Sequence, residues 1–146
     1  MSHQFACYLN SEISGTVTYY FDEPEHDDYV VSPVQNVGGN TGSQILFSMY
    51  SHAWTHGVTG YVSYQLPDNS LLVIQYNVPE TQNGSGSTKN VFYYAFIQNP
   101  SDADKYIPPL YYVDYISADQ LMNTDPPVIA DSVTITIYLK EYTPQT

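Results

Sequence analysis

Apolar residues recur at every second position near the end of this chain. Val133, Ile135, Ile137 and Leu139 fall on one side of an extended backbone, and Thr134, Thr136 and Tyr138 fall on the other. A period of two, rather than 3.6, marks a half-buried strand, and any fold for this chain must bury such faces. The same pattern organises Gly60 to Phe96. Val62, Tyr64 and Leu66 alternate with Tyr61, Ser63 and Gln65, and Leu72, Ile74, Tyr76 and Val78 resume the alternation after Pro67-Asp68-Asn69-Ser70. Pro67 sets φ, and Asp68 and Asn69 carry side chains that bond their own backbone, so this tetrapeptide is a turn. Beyond Pro79 a small, polar segment leads into the aromatic strand Asn90-Val91-Phe92-Tyr93-Tyr94-Ala95-Phe96-Ile97. A three-strand unit carrying one long loop is therefore expected.

Further strands surround that unit. Phe5, Cys7 and Leu9 alternate in a first strand, and Val17, Tyr19 and Phe21 in a second, with Glu12 to Gly15 short enough for a hairpin. Tyr29 to Val34 has the form of a short edge strand stopped by Pro33, and Ile45, Phe47 and Met49 alternate in another. Ser117-Ala118-Asp119-Gln120 has the form of a capping box, which predicts one short helix near 117–123, closed off by Pro126 and Pro127. Recurring strands, turn signals and a single helix place the chain in the all-β class as an antiparallel β-sandwich. No repeat or linker divides it, so residues 1–146 are read as a single domain, long enough to build a core without metals or disulfides. Cys7 is the only cysteine and cannot form an internal disulfide.

Charge removes several classes of function. Fifteen Asp and Glu stand against three Lys and Arg, a formal charge of −12. Nucleic-acid binding draws its affinity from neutralising phosphates, and anionic membranes attract polybasic segments, so neither partner is expected. A membrane target would carry a neutral or zwitterionic head group. The first residues, Met1-Ser2-His3-Gln4, show neither the basic region nor the apolar run of a signal peptide, so a cytoplasmic protein or one released by a non-classical route is expected. Sixteen tyrosines supply apolar area with a polar tip, which suits wet interfaces, and they are also good strand formers.

Motifs for catalysis and metal binding are weak. Cys7 sits at an apolar strand position, where an inert buried thiol is the default, and His3 and His26 lie in terminal or polar segments with no nucleophile motif nearby. The acidic run Asp22 to Asp28 fits no calcium loop and reads as a solvated, self-repelling loop. Gly38 to Gly42 lacks the lysine and helix of a phosphate cradle. His52 and His56 flank Trp54 at spacing two, without a third ligand nearby, so Trp54 is a better candidate for a ligand-facing position than its neighbours are for zinc. No catalytic residue, metal or cofactor is assigned; a binding protein is expected.

Thr59-Gly60-Tyr61-Val62-Ser63-Tyr64-Gln65-Leu66-Pro67-Asp68, followed by Leu72-Val73-Ile74-Gln75-Tyr76-Asn77-Val78-Pro79, resembles the middle of the actinoporin-like and aegerolysin-like haemolysins. Phe5 to Ser11 looks like that family's first strand, and Val133 to Leu139 like its closing strand. Asp104-Lys105-Tyr106 with Leu110-Tyr111-Tyr112 is similar to the actinoporin tyrosine cluster that cups a choline head group. The resemblance implies a lipid-binding, cytolysin-like β-sandwich, with Tyr106, Tyr111 and Tyr112 forming an aromatic cup and Asn77, Pro79 and Trp54 lining its edge. The first strand begins at about Gln4, leaving no room for the pore-forming helix of actinoporins, so pore formation would need a partner protein, as in aegerolysins. A lectin on the same sandwich, and a self-associating toxin or storage protein, remain open alternatives.

Overall fold

Ten strands form among the described residues, most of them the period-two segments. The computed structural model describes residues 3–25, 28–51, 58–78, 91–99, 108–120 and 132–142. In chain order these form β1 (His3–Ser11), β2 (Thr16–Glu25), β3 (Asp28–Val31), β4 (Asn36–Gly38), β5 (Ser43–Ser51), β6 (Val58–Gln65), β7 (Leu71–Val78), β8 (Phe92–Gln98), β9 (Tyr111–Ala118) and β10 (Ser132–Glu141). One sheet runs β3-β5-β1-β10-β9 and the other β4-β2-β6-β7-β8. Their inner faces enclose one core. Phe5 stacks on Tyr76 with ring centroids 4.5 Å apart, and Phe47 tilts against both at 5.9 and 5.7 Å, joining β1 and β5 of one sheet to β7 of the other. The result is the all-β sandwich implied by the alternation.

The central unit is the antiparallel meander β6-β7-β8. Its turn is closed by Leu66 N–H donating to the Ser70 carbonyl at 2.9 Å and Asn69 N–H donating to the Leu66 carbonyl at 2.9 Å. Asn69 takes a φ of 71°, which asparagine tolerates better than most residues. The Asp68 carboxylate accepts the Ser70 N–H at 3.0 Å through Oδ1, and the Leu110 N–H at 2.9 Å through Oδ2. Leu110 directly precedes β9, so this one turn residue ties the two sheets together.

Three details depart from the alternation. First, β1 and β10 pair in parallel, from Gln4 opposite Ser132 to Ser11 opposite Leu139, so their sheet is mixed rather than purely antiparallel. Strands at the two ends of a chain are not joined by a hairpin, and connectivity leaves their relative direction free. What aligns them is apolar register: Phe5, Cys7 and Leu9 lie opposite Val133, Ile135 and Ile137, all buried. Second, no helix occurs among the described residues. Ser117 and Ala118 end β9, opposite Thr136 and Ile135. Asp119 N–H donates to the Thr134 carbonyl at 3.2 Å, and its carboxylate accepts the Thr134 N–H at 2.9 Å. The groups expected to cap a helix instead close a strand pair; residues 121–131, with Pro126 and Pro127, lie outside the described residues. Third, bulges break the expected alternation in β2 and β5. Between paired positions Tyr19 and Phe21 on β2, the partner strand advances by one residue, making Tyr20 extra; Leu46 is extra in β5. Each bulge reverses which residues face inward beyond it.

The β2 bulge also changes the acidic run. Asp22 to Glu25 belong to β2 rather than to a solvated loop. Asp22 turns toward the interior, where its carboxylate accepts the hydroxyl of Tyr19 and, at 2.6 Å, that of Tyr29 on β3 in the other sheet. Burial first, and then these bonds, push the Tyr19 phenol up to about 12 and raise Tyr29 further.

Two substitutions test these ties. Burial favours a higher pKa for Asp68, but the bonds from Ser70 and Leu110 outweigh it and hold the carboxyl below its ordinary value. A lowered folded pKa stabilises fully above the unfolded value, about 3.9, and that stability is lost as pH falls through the folded pKa. Asp68→Ala should therefore lower stability at neutral pH by roughly 1–3 kcal/mol and flatten the decline below about pH 4, measured by urea unfolding. At Gly60 φ is +154°, and a Cβ would lie 2.7 Å from the Glu23 carbonyl oxygen and 2.9 Å from Pro24 Cα. Gly60→Ala should cost roughly 1–3 kcal/mol in the same assay, by strain and by forcing β2 from β6; an unchanged midpoint would contradict that contact.

Candidate functional site

Outward-facing residues of β2, β6, β7 and β8 form a groove. Register places Phe21 opposite Ser63, Ser63 opposite Val73, and Val73 opposite Phe96, in one row across four strands. The middle pair is small and nearly covered, at 4% and 8% exposure, whereas Phe21 and Phe96 stand out at 48% and 44%. A row of small residues flanked by rings is a trough. Its walls rise from backbones three strand spacings apart, about 14 Å. The floor is satisfied, because the Ser63 hydroxyl donates to the Phe21 carbonyl at 3.1 Å.

The neighbouring row runs Glu23, Tyr61, Gln75 and Tyr94. Tyr61 leans on Phe21, with centroids 5.9 Å apart. Its hydroxyl is bonded to the Glu23 carboxylate, which holds the phenol above its usual range. On the other side, Tyr20, Leu71 and Gln98 complete the groove, whose volume is about 670 Å³. A second hollow of about 270 Å³ adjoins it at Tyr61, lined by Glu23, Pro24 and Gly60. Rings, amides, two phenols and one carboxylate line these spaces, and no cation among the described residues does. Lys140 is the one lysine among the described residues, and it lies in the opposite sheet, paired with Asp114 at 3.3 Å and Glu12 at 3.7 Å.

The other sheet carries a tyrosine patch on the outer faces of β9 and β10. Tyr115 stacks on Tyr138 at 4.2 Å and 11°, and Tyr112 tilts against Tyr142 at 4.6 Å. Tyr115 lies opposite Tyr138 and Tyr112 opposite Lys140, so the two pairs occupy successive rows of one surface. Stacking fixes rings that would otherwise have free rotamers.

Of the residues expected to share one cup, the described ones, Tyr111, Tyr112 and Asn77, do not come together. Tyr111 and Tyr112 are consecutive in β9 and face opposite ways: Tyr111 is buried in the core beside Asp68, and Tyr112 points outward. Asn77 lies at the far end of β7, opposite Thr59 and Phe92. It is six strand residues, about 20 Å, from the turn that contacts Leu110. A single pocket built from Tyr111, Tyr112 and Asn77 is thus ruled out by strand geometry. Tyr106, Pro79 and Trp54 lie outside the described residues, as do His52 and His56. Cys7 is fully buried, with its thiol pushed well up by that burial, and no group of metal-ligating side chains occurs among the described residues.

The groove itself was only half visible in the alternation. Alternation assigns Tyr61 and Ser63 to an outer face, but it puts Phe21 on the same side as Val17 and Tyr19. Locating it outside requires the Tyr20 bulge, for which the local residues carry no signal.

Comparison with known proteins shows the fold. No protein-family model matches the chain, and no curated protein matches it by sequence. Among solved structures, the crystal structure of the lipid binding protein Nakanori superposes with a TM-score of 0.66 at 10% identity, covering 97% of this chain and 72% of that one. The similarity thus extends through nearly the whole sandwich.

Proposed function

We propose that this chain binds membrane lipid, through a head group that is neutral or zwitterionic, and that the outer tyrosine patch of β9 and β10 is the contact surface. The stacked pair Tyr115–Tyr138 and the tilted pair Tyr112–Tyr142 carry the reading, because amphipathic rings held side by side suit the boundary between head groups and water. The shared architecture with a lipid-binding protein supports it, since 97% of the chain is spanned. Charge selects the head group: at a formal −12, attraction to anionic lipid is absent. No catalytic role is assigned, in keeping with the inert environment of Cys7 and with the Asp22 carboxylate being occupied by two phenols.

Sedimentation with liposomes tests this reading. The protein should pellet with phosphatidylcholine vesicles and less well when phosphatidylserine is added. Tyr112→Ala with Tyr115→Ala should weaken pelleting about tenfold, equivalent to about 1.4 kcal/mol. Failure to bind any vesicle would remove the lipid assignment, and undiminished binding by the double variant would remove the patch.

A further inference from the structure

We infer that the groove on the outer face of β2, β6, β7 and β8 is a saccharide-binding site, taking a neutral or amino sugar. This goes beyond the lipid reading, uses the opposite sheet, and stands whether or not bare phosphatidylcholine vesicles are bound. Three observations support it. The first is shape: Phe21 and Phe96 face each other across a floor of Ser63 and Val73, in a groove of about 670 Å³, within the ordinary range for small-ligand sites. A sugar ring has apolar C–H faces that pack on aromatic rings and a polar rim that does not. Such a ring could lie between these walls with its hydroxyls directed along the strands.

The second is the placement of polar groups. Gln75 and Gln98 border the groove, and their side chains have no hydrogen-bond partner among the described residues. Each amide offers two donors and an acceptor, matching hydroxyls that both donate and accept. A purely hydrocarbon ligand would leave these groups unused, and would gain little from the adjoining hollow with its Tyr61 hydroxyl and Glu23 carboxylate. Among the described residues the one charge bordering this surface is the Glu23 carboxylate, which disfavours sulfated, phosphorylated or sialylated sugars and accommodates an amine.

The third is how the wall is made. Phe21 faces outward only because Tyr20 is an extra residue in β2, and the backbone carbonyl of Phe21 is fixed by Ser63. Bulges re-aim side chains beside binding sites more often than elsewhere. A large apolar ring turned to solvent by a bulge, when strict alternation would bury it, is consistent with a ligand that uses it.

Isothermal titration with the full chain provides the test, using chitotriose, cellotetraose and mannotriose as neutral or N-acetylated probes and sialyllactose as the anionic control. A parallel arm compares phosphatidylcholine vesicles with and without galactosylceramide, to separate a free glycan from a glycolipid head group. At least one neutral probe should bind saturably, or galactosylceramide should tighten binding to phosphatidylcholine vesicles about tenfold, and sialyllactose should not bind. Phe96→Ala and Gln75→Ala, both at exposed positions, should each weaken that binding tenfold or more while leaving the circular dichroism unchanged. Failure of every neutral probe together with no gain from galactosylceramide would overturn the assignment, as would sugar-dependent binding that survives both substitutions. Loss of binding to plain phosphatidylcholine vesicles on Phe96→Ala would instead place lipid in the groove and equally overturn it.

Discussion

A single inserted residue governs what β2 contributes to both faces of its sheet. Up to Tyr19 the strand sends alternate side chains inward, with Val17 buried and Tyr19 set edge-on to Tyr64 at 6.1 Å. Tyr20 then occupies a bulge, and the sense reverses: Phe21 turns out and Asp22 turns in. Inside, Asp22 collects the hydroxyls of Tyr19 and Tyr29 and bridges the two sheets between β2 and β3. Outside, Phe21 becomes a wall of the groove. Without the extra residue, a carboxylate would replace a ring on the outer face, and a phenylalanine would replace the acceptor inside. The two phenols would then lose their common partner, and leaving buried hydroxyls unpaired is costly.

The remaining ties between sheets follow the same logic of local groups used over long range. Phe5, Tyr76 and Phe47 fuse the middle of the sandwich through ring contacts. Asp68 fastens one end through Leu110, and Glu141 accepts both the N–H and the hydroxyl of Ser14 at 2.8 Å nearby. With inner faces fully committed to packing, recognition falls to the outer faces. These differ in character. The β9–β10 surface displays stacked phenols around a lysine held by two acids, and the β2-β6-β7-β8 surface displays a trough between opposed rings. Division of labour between two faces of a sandwich is a property of period-two strands, because each strand contributes alternate residues to core and surface.

Much of the architecture could be read from alternation. The meander β6-β7-β8, its Pro67–Ser70 turn, the buried faces of β1 and β10, and the edge strand β3 all follow from local pattern. What alternation could not supply was register across bulges, the parallel pairing of β1 with β10, and the use of Asp119 to close a strand pair. These depend on contacts between segments distant in the chain. The same limit explains the fate of the proposed cup. Tyr111 and Tyr112 look like one cluster when read along the chain, but adjacency in an extended strand separates side chains to opposite faces. Conversely, Phe21, Ser63, Val73 and Phe96 are distant in sequence and become neighbours only through register. Tyrosine content was informative about surfaces in general and silent about which surface.

The insertion at Tyr20 is tested most directly by comparing two variants in urea unfolding, one deleting Tyr20 and one replacing it with alanine. Tyr20 is 56% exposed, so its side chain contributes little, and the alanine variant should unfold within about 0.5 kcal/mol of the parent. The deletion, which removes the residue count that turns Phe21 out and Asp22 in, should lose about 3 kcal/mol or more. A deletion variant as stable as the parent would mean that β2 does not depend on its bulge, and the account of both faces would fail with it.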